Sequence, residues 1–305
     1  MAAALRYIGT AAALIFIGVI LVRHAGDMPV FDLGSGSTWL ALSGGYTLYF
    51  LSQIVGAAAW RATLNIHHTA LPRARAESQL LVSQIGKYIP GNVAHLLGRF
   101  GLARADGVQS AVIASSLLLE VGFLVTSSVL IVGVLLLIKP DFIAAITTNV
   151  PETWLNRSAV MIFFALLAGI AIGQFLIWRK AGKPKLVFSK CVAPLLLHGF
   201  NFMLLGVSLW CVARAIHSEG DVSLLQCTAI FTTAWVTGFL IPGAPGGVGI
   251  RDGIIALGLG LFIGQGAGLG AAAAHRVISV LGDVSVFGLG LVLRRNRRNE
   301  VQKSA

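Results

Sequence analysis

The chain has 305 residues, of which 56% are hydrophobic and only 11% are charged. A soluble globular domain carries about a quarter charged residues, so this composition excludes a chain built of soluble domains. The formal net charge is +11, but the basic residues cluster in the loop 179–190 and in the tail 294–303. Such clusters indicate membrane orientation and contact with anionic lipid head groups, whereas nucleic-acid binding needs a basic face on a folded soluble domain.

Apolar segments near the length that crosses a bilayer, about 20 residues, recur along the whole chain. Seven are continuous and are predicted to be membrane-spanning helices: residues 7–22, 39–60, 109–138, 159–178, 192–216, 224–240 and 268–293. The first is not followed by a signal-peptide cleavage site, so we interpret it as a span. Two more, residues 78–100 and 245–264, are interrupted by Gly, Pro and Arg. The sequence therefore predicts an all-α membrane protein, with one transmembrane helical domain at 1–294 and a basic tail at 295–305.

The charges of the connecting loops predict the orientation of the spans. The basic loops 61–75 and 179–190 are expected in the cytoplasm, and the acidic loops are expected outside: residues 24–38, 139–156 and 217–222. This assignment requires residues 78–100 to enter the membrane and return on the same side. If residues 245–264 then cross, the helical bundle has about eight spans and both termini are cytoplasmic. The alternative is a second re-entrant segment, which leaves the tail outside.

The two interrupted segments share a motif. Gly-x-x-Ile-Pro-Gly, followed by an Arg and a Gly at fixed spacing, begins at residue 86 and again at residue 238, an offset of 152 residues. Corresponding breaks in two halves of a chain mark the substrate site of many transporters. An internal duplication and a chance match of common glycines both remain open. The residues expected to break the helices are Pro90, Gly91, Pro242, Gly243, Pro245, Gly246, Gly247 and Gly249.

Helix breaks at membrane depth predict a polar cavity, because unpaired backbone groups are not tolerated against lipid. Proline removes a backbone donor, and glycine permits unusual backbone angles. After the second break a new helix is expected near Ile250, where the first amide groups and Arg251 would attract an anion such as phosphate. The run lacks the Gly-Lys-Ser/Thr ending of a nucleotide-binding loop. The alternative is a kinked packing turn that binds no ligand.

Charged side chains at membrane depth are functional candidates by default. Lys87, His95 and Arg99 lie in the first interrupted segment, and two interpretations are open for them. They form a site inside the membrane, or the segment lies along the interface and they extend to water. Glu120, near the middle of the span 109–138, is expected to pair with an arginine or to carry a proton.

Polar residues on two later spans complete the set of candidates. Arg276 and Asp283 are seven residues apart and so share one face of the last span. They belong to a binding site, or Arg276 forms a structural ion pair with Glu120 or Asp283. His198 and Asn201 share a face of the fifth span, and we interpret them as helix-to-helix hydrogen-bonding groups. No metal-ligand cluster or nucleophile–base arrangement is evident, so no catalytic residue, metal or cofactor is expected.

The two motifs resemble the lysylphosphatidylglycerol synthase/flippase transmembrane-domain family. The resemblance rests on Lys-Tyr-Ile-Pro-Gly-Asn at 87–92 with Arg99, and on Pro-Gly-Ala-Pro-Gly-Gly-Val-Gly at 242–249 followed by Arg251, Asp252 and Gly253. Arg276 matches an arginine of that family in the helix after the second motif. Family members often carry an acidic residue, frequently glutamate, after that motif. Here Arg251-Asp252 stands at that place, so the detailed site of the family is not carried over.

The resemblance implies a role in moving or handling anionic lipids in a bacterial inner membrane. Only about a dozen residues follow the last span, so we expect the aminoacyl-transferase domain of the larger members to be absent and the chain not to be an enzyme. The predicted function is translocation of an anionic phospholipid or a polyprenyl-phosphate-linked lipid. Candidate partners are membrane lipids and a lipid-modifying enzyme or glycosyltransferase, and no nucleic acid is expected.

Eight residues are expected to form the substrate site: Lys87, His95, Arg99, Glu120, Arg251, Asp252, Arg276 and Asp283. The three arginines would hold the phosphate, because a low dielectric strengthens each contact with an anion. The carboxylates Glu120 and Asp283 would balance charge or couple transport to protons. Two rival functions remain open at this point. They are a proton-coupled small-anion permease and a non-transporting membrane subunit of a lipid or glycan synthesis enzyme.

Overall fold

The computed structural model describes residues 32, 34–69, 71–89, 93–138, 188–216, 222–240 and 249–303, together with three isolated helical positions at 169, 172 and 176. All regular secondary structure within these ranges is helical, which confirms the all-α class. It comprises eight α-helices and two 3-10 helices, Gln84–Tyr88 and Phe188–Lys190. The α-helices are α1 (Gly36–Asn65), α2 (Arg73–Ser83), α3 (Ala94–Ala105), α4 (Ser110–Ile138), α5 (Val192–Ile216), α6 (Leu224–Leu240), α7 (Ile250–Ile263) and α8 (Gln265–Lys303).

Three helices within the described ranges are long and apolar enough to cross a membrane: Ser110–Val134 of α4, Val192–Ile216 of α5 and Gln265–Arg295 of α8. The shortest of these stretches has 25 residues. At 1.5 Å per residue it is about 37 Å long, which exceeds a hydrocarbon core of about 30 Å. These lengths and compositions are those of a membrane protein. The predicted span 7–22, most of the predicted span 159–178 and the loop 139–156 lie outside the described residues.

The described part of the first interrupted segment is helical on both sides of residues 90–92. Helix α2 continues into the 3-10 helix Gln84–Tyr88, Ile89 is extended with φ −76° and ψ 132°, and α3 begins at Ala94. Pro90 and Gly91 lie outside the described residues. A Cβ on Gly86 would come within 2.9 Å of the His95 backbone nitrogen. Glycine at this position therefore lets the 3-10 helix pack against the start of α3.

The second interrupted segment joins α6 to α7. Pro242, Gly243, Pro245, Gly246 and Gly247 lie outside the described residues. Gly249 has φ +90°, a backbone angle that favours glycine, and its carbonyl accepts the first bond of α7 from the Gly253 amide at 2.9 Å. Helix α7 has 14 residues. It is about 21 Å long, so it does not cross the hydrocarbon core on its own.

The two interrupted segments are not matched helix for helix. Arg99 is five residues after the start of α3 at Ala94, whereas Arg251 is one residue after the start of α7 at Ile250. The second helix thus starts four residues later relative to the shared motif. Arg251 therefore lies in the first turn of its helix and Arg99 lies deeper within its own.

Small residues let these helices pack closely, as is common in membranes. Helix α1 packs most extensively against α5, and α8 packs against α7, α2 and α1. A Cβ on Gly268 of α8 would lie 2.6 Å from the Gly260 nitrogen of α7. Gly45 of α1 would carry a Cβ 3.2 Å from the Ser208 carbonyl of α5. The close contacts bring polar residues of α1, α5 and α8 to the centre of the bundle.

Candidate functional site

A cavity of about 100 Å³ lies where both interrupted segments meet the surrounding helices. Pockets for drug-sized ligands are about 300–1,000 Å³, so this one fits a small group rather than a whole lipid. Its polar lining comes from α1, the first interrupted segment, α4, α5 and α7: Tyr49, Gln53, Gln84, Lys87, His95, Arg99, Glu120, His198, Asn201 and Arg251. Aromatic rings of α6, Phe231, Trp235 and Phe239, line the rest together with aliphatic side chains. The cavity therefore joins polar groups that are far apart in sequence.

Arg99 and Glu120 form a buried ion pair between α3 and α4. A guanidinium nitrogen of Arg99 contacts Glu120 Oε2, and the side chains are 4% and 7% exposed. The guanidinium also lies over the indole ring of Trp60, 4.9 Å from its centroid. Arg99 is thus inside the bundle and does not extend to water at the interface. Glu120 takes the arginine partner that the sequence left open.

Asp283 is the centre of a second buried cluster. Its carboxylate is fully buried and contacts Lys87 Nζ at 2.7 Å. It also accepts hydrogen bonds from the hydroxyl groups of Tyr49 at 3.0 Å and Tyr88 at 2.5 Å. Gly282 leaves room for the ring of Tyr49 beside it, because a Cβ there would overlap that ring. One cation and two phenols therefore hold this carboxylate in place.

Sequence reasoning missed the two tyrosines. Tyr88 lies in the motif at 87–92 and Tyr49 lies in the predicted span 39–60, but the spacing of neither residue predicted a carboxylate partner. A buried tyrosine hydroxyl normally finds a hydrogen-bond partner, which is the signal that was available. The carboxylate that the structure pairs with Arg276 is Asp252, at 3.8 Å, and the cation that it pairs with Asp283 is Lys87. The contact of Lys87 with Asp283 required the tertiary structure, since the two residues are 196 positions apart.

Arg251 is buried but loosely paired. Its Nε is 3.9 Å from Asp252 Oδ1, and the same oxygen is 3.8 Å from a terminal nitrogen of Arg276. One of its terminal nitrogens donates to Ser279 Oγ at 3.3 Å. The guanidinium also lies 5.7 Å from the centroid of the Phe231 ring. Two arginines thus share one carboxylate at distances close to 4 Å.

Several polar atoms in the cavity wall have no hydrogen-bond partner among the described residues: His95 Nδ1, Arg99 Nε, both ring nitrogens of His198, Asn201 Oδ1 and Arg251 Nε. Buried polar groups are nearly always paired, since leaving one unpaired costs about 1–3 kcal/mol. All of these residues line the same cavity. Side chains with unmet hydrogen-bonding capacity are therefore concentrated around this cavity.

The interpretation of His198 as a helix-to-helix hydrogen-bonding group is wrong. Neither ring nitrogen has a hydrogen-bond partner in the described part of the chain, and the side chain lines the cavity. Helical spacing placed His198 and Asn201 on one face of α5 but did not show what that face meets. A neighbouring helix and a cavity are equally compatible with a polar stripe until the packing is known.

The site residues fall into two groups by their position. Lys87, His95, Arg99, Glu120 and Arg251 line the cavity directly. Asp252, Arg276 and Asp283 lie behind this wall, in contact with Arg251, Asp252 and Lys87 respectively. Within the described ranges, no three His, Cys, Asp or Glu side chains are placed to hold a metal ion. The cationic donors of the wall are Lys87, Arg99 and Arg251, which suit an anion with several oxygens. The Glu120 carboxylate and Asn201 Oδ1 are acceptors in the same wall.

Comparison with known proteins does not assign the chain to a family. No family model matches it, and no curated protein matches it either. The resemblance to the lysylphosphatidylglycerol synthase/flippase family thus depends on the two motifs and on Arg276. The cavity and its polar lining are the structural features that bear on function.

Proposed function

We propose that the protein translocates a lipid with an anionic, phosphate-bearing head group across a bacterial inner membrane. The observation that carries this proposal is the cavity whose wall combines two arginines, Arg99 and Arg251, with further unpaired polar atoms. Guanidinium groups bind phosphate oxygens through charge-assisted hydrogen bonds. A phosphate in this cavity would lie beside both arginine side chains.

The size of the cavity favours a head group with its acyl chains left in the bilayer. At about 100 Å³ it has no room for two acyl chains. The first interrupted segment exposes large apolar side chains at four-residue intervals: Ile85 (37% exposed), Ile89 (55%), Val93 (45%) and Leu97 (68%). Exposed apolar side chains of this kind fit contact with lipid chains. A head group inside and chains outside is the arrangement that lipid translocation needs.

The membrane arrangement that goes with this function is the eight-span bundle with both termini in the cytoplasm. It is supported by the basic loops, and the three long apolar helices are compatible with it. Helix α7 would supply only part of a crossing, with α6 packed beside it. The resemblance of the two motifs to a lipid synthase/flippase family supports the same substrate class.

A proton-coupled permease for a small anion is the second candidate. The size of the cavity favours it, since a free phosphate fits about 100 Å³ as well as a head group does. The two functions differ in what crosses the membrane. Exposed apolar side chains face lipid in either case, so the resemblance of the two motifs is what favours a lipid over a soluble anion.

The test is a transport assay in vesicles that contain the full chain. A fluorescent phosphatidylglycerol is followed by quenching from outside, and radiolabelled phosphate is followed in parallel. Arg251→Gln should slow lipid movement by about ten- to a hundredfold, because it removes a charged hydrogen bond worth about 1.5–3 kcal/mol. The matched control is Arg104→Gln, since Arg104 is an exposed arginine that donates to Ser110 Oγ outside the cavity.

Each outcome of this assay decides between the candidate functions. Lipid movement that depends on Arg251 and not on Arg104 supports translocation. Movement of phosphate without movement of lipid would establish the permease. The third outcome is that lipid moves at the same rate in vesicles with folded protein and in protein-free vesicles, and that no phosphate crosses. This outcome would leave the non-transporting subunit as the remaining function.

A further inference from the structure

The cations that line the cavity differ in how tightly they are paired. Lys87 is 2.7 Å from the buried carboxylate of Asp283, and Arg99 is in direct contact with Glu120. Each of these two pairs is electrically neutral. Of the described cations in the cavity wall, Arg251 is the one without a carboxylate in close contact.

The carboxylate of Asp252 partly neutralises the positive charge of Arg251. It lies in the first turn of α7, where the helix dipole favours a negative charge. Its Oδ1 is 3.9 Å from Arg251 and 3.8 Å from Arg276, and its side chain is 14% exposed. An anion that binds Arg251 lies in the field of this carboxylate and of Arg276. These three groups carry one net positive charge, so in a low-dielectric cavity a second negative charge on the anion has no cation to balance it.

We infer that the cavity selects a head group with a single negative charge, a phosphodiester, against doubly charged phosphomonoesters, and that Asp252 sets this selection. The inference rests on the proposed function and deepens it by naming the substrate class. One negative charge is balanced by the loosely paired Arg251, and a second one is not. The residues expected to touch the phosphate are Arg251, Arg99 and His198, all of which line the cavity.

The experiment compares two short-chain lipids that differ by one methyl group. Dihexanoyl phosphatidylmethanol is a phosphodiester with one negative charge. Dihexanoyl phosphatidic acid is a phosphomonoester, and at pH 8 it carries most of a second charge because its second ionisation lies near pH 6. Binding of each to the detergent-solubilised full chain is measured by calorimetry. The wild-type protein should bind phosphatidylmethanol at least about tenfold more tightly than phosphatidic acid.

Variants at Asp252 test whether this residue sets the preference. Asp252→Asn keeps the shape and removes the charge, so the preference should fall by about tenfold or more. Asp252→Glu keeps the charge and should keep the preference. Glu77→Gln is the matched carboxylate-to-amide control, because Glu77 pairs with Arg61 and Arg73 outside the cavity. It should bind both lipids as the wild type does.

The outcomes separate this inference from the proposed function. Equal binding of both lipids by the wild type, no binding of either, or an unchanged preference in folded Asp252→Asn would overturn the charge selection. Tighter binding of phosphatidylmethanol, without any lipid movement in vesicles, would support the charge selection and contradict the proposed translocation. If both lipids bind equally and are moved at equal rates, translocation stands and the selection fails.

Discussion

Arg99 and Arg251 occupy equivalent places in the two motifs, yet they differ in how closely each is paired with a carboxylate. Each follows the Ile-Pro-Gly break at the same distance in sequence, lines the cavity and lies near an aromatic ring, Trp60 for Arg99 and Phe231 for Arg251. Arg99 contacts Glu120 directly, whereas the Nε of Arg251 is 3.9 Å from its nearest carboxylate. The difference shows that the same motif can produce a structural ion pair in one segment and an available cation in the other.

The physical reason lies in the cost of burying charge. An ion buried without a partner loses several kcal/mol of solvation, so a direct carboxylate contact stabilises the fold around it. An arginine without a direct carboxylate contact is compensated for only part of its lost solvation. A bound anion therefore stabilises it more. The first interrupted segment is therefore built for stability, and the second is where a ligand has most to contribute.

The largest effect is expected at Asp283, in the cluster that ties the first segment to α8. Asp283→Asn should lower the free energy of unfolding by about 3–5 kcal/mol, because it leaves Lys87 buried without a counter-ion. Thermal unfolding of the purified protein in detergent measures this. The corresponding change at the second segment, Asp252→Asn, should have a much smaller effect on stability. Equal losses from the two substitutions would contradict the contrast.

A somewhat smaller effect is expected when the Arg99 pair is broken. Glu120→Gln should lower the free energy of unfolding by about 3 kcal/mol, since Arg99 is then buried and unbalanced. The double variant Arg99→Met, Glu120→Leu should recover most of this loss, because replacing both partners with apolar groups of similar size removes the unpaired charge. A double variant no more stable than Glu120→Gln would show that the pair is not the cause.

The smallest effect is expected at the 3-10 helix of the first segment. Gly86→Ala places a Cβ about 2.9 Å from the His95 nitrogen and should destabilise the protein by about 1–3 kcal/mol. The control is Gly101→Ala in α3, where a Cβ meets nothing within 4 Å. Unfolding temperatures of the two variants are compared. Equal temperatures would contradict the close contact between the 3-10 helix and the start of α3.

Much of the helical framework was predictable from hydrophobicity. The bounds of α5 and α6 coincide with the apolar segments at 192–216 and 224–240, because a long apolar run is helical wherever backbone groups must pair internally. The cavity itself was predicted only as a place between two breaks. Its wall includes Tyr49, Gln53 and Gln84, which no spacing rule singled out.

The sequence by itself determined that the protein is helical, apolar and broken at two positions, since composition and Gly-Pro content act locally along the chain. The tertiary structure decided which charges are paired. Lys87 meets Asp283, Arg99 meets Glu120 and Arg251 remains loosely held. Pairing depends on distances between residues far apart in sequence, and Coulomb energy at low dielectric changes by several kcal/mol over a few ångströms. Only the packing of the helices fixes those distances.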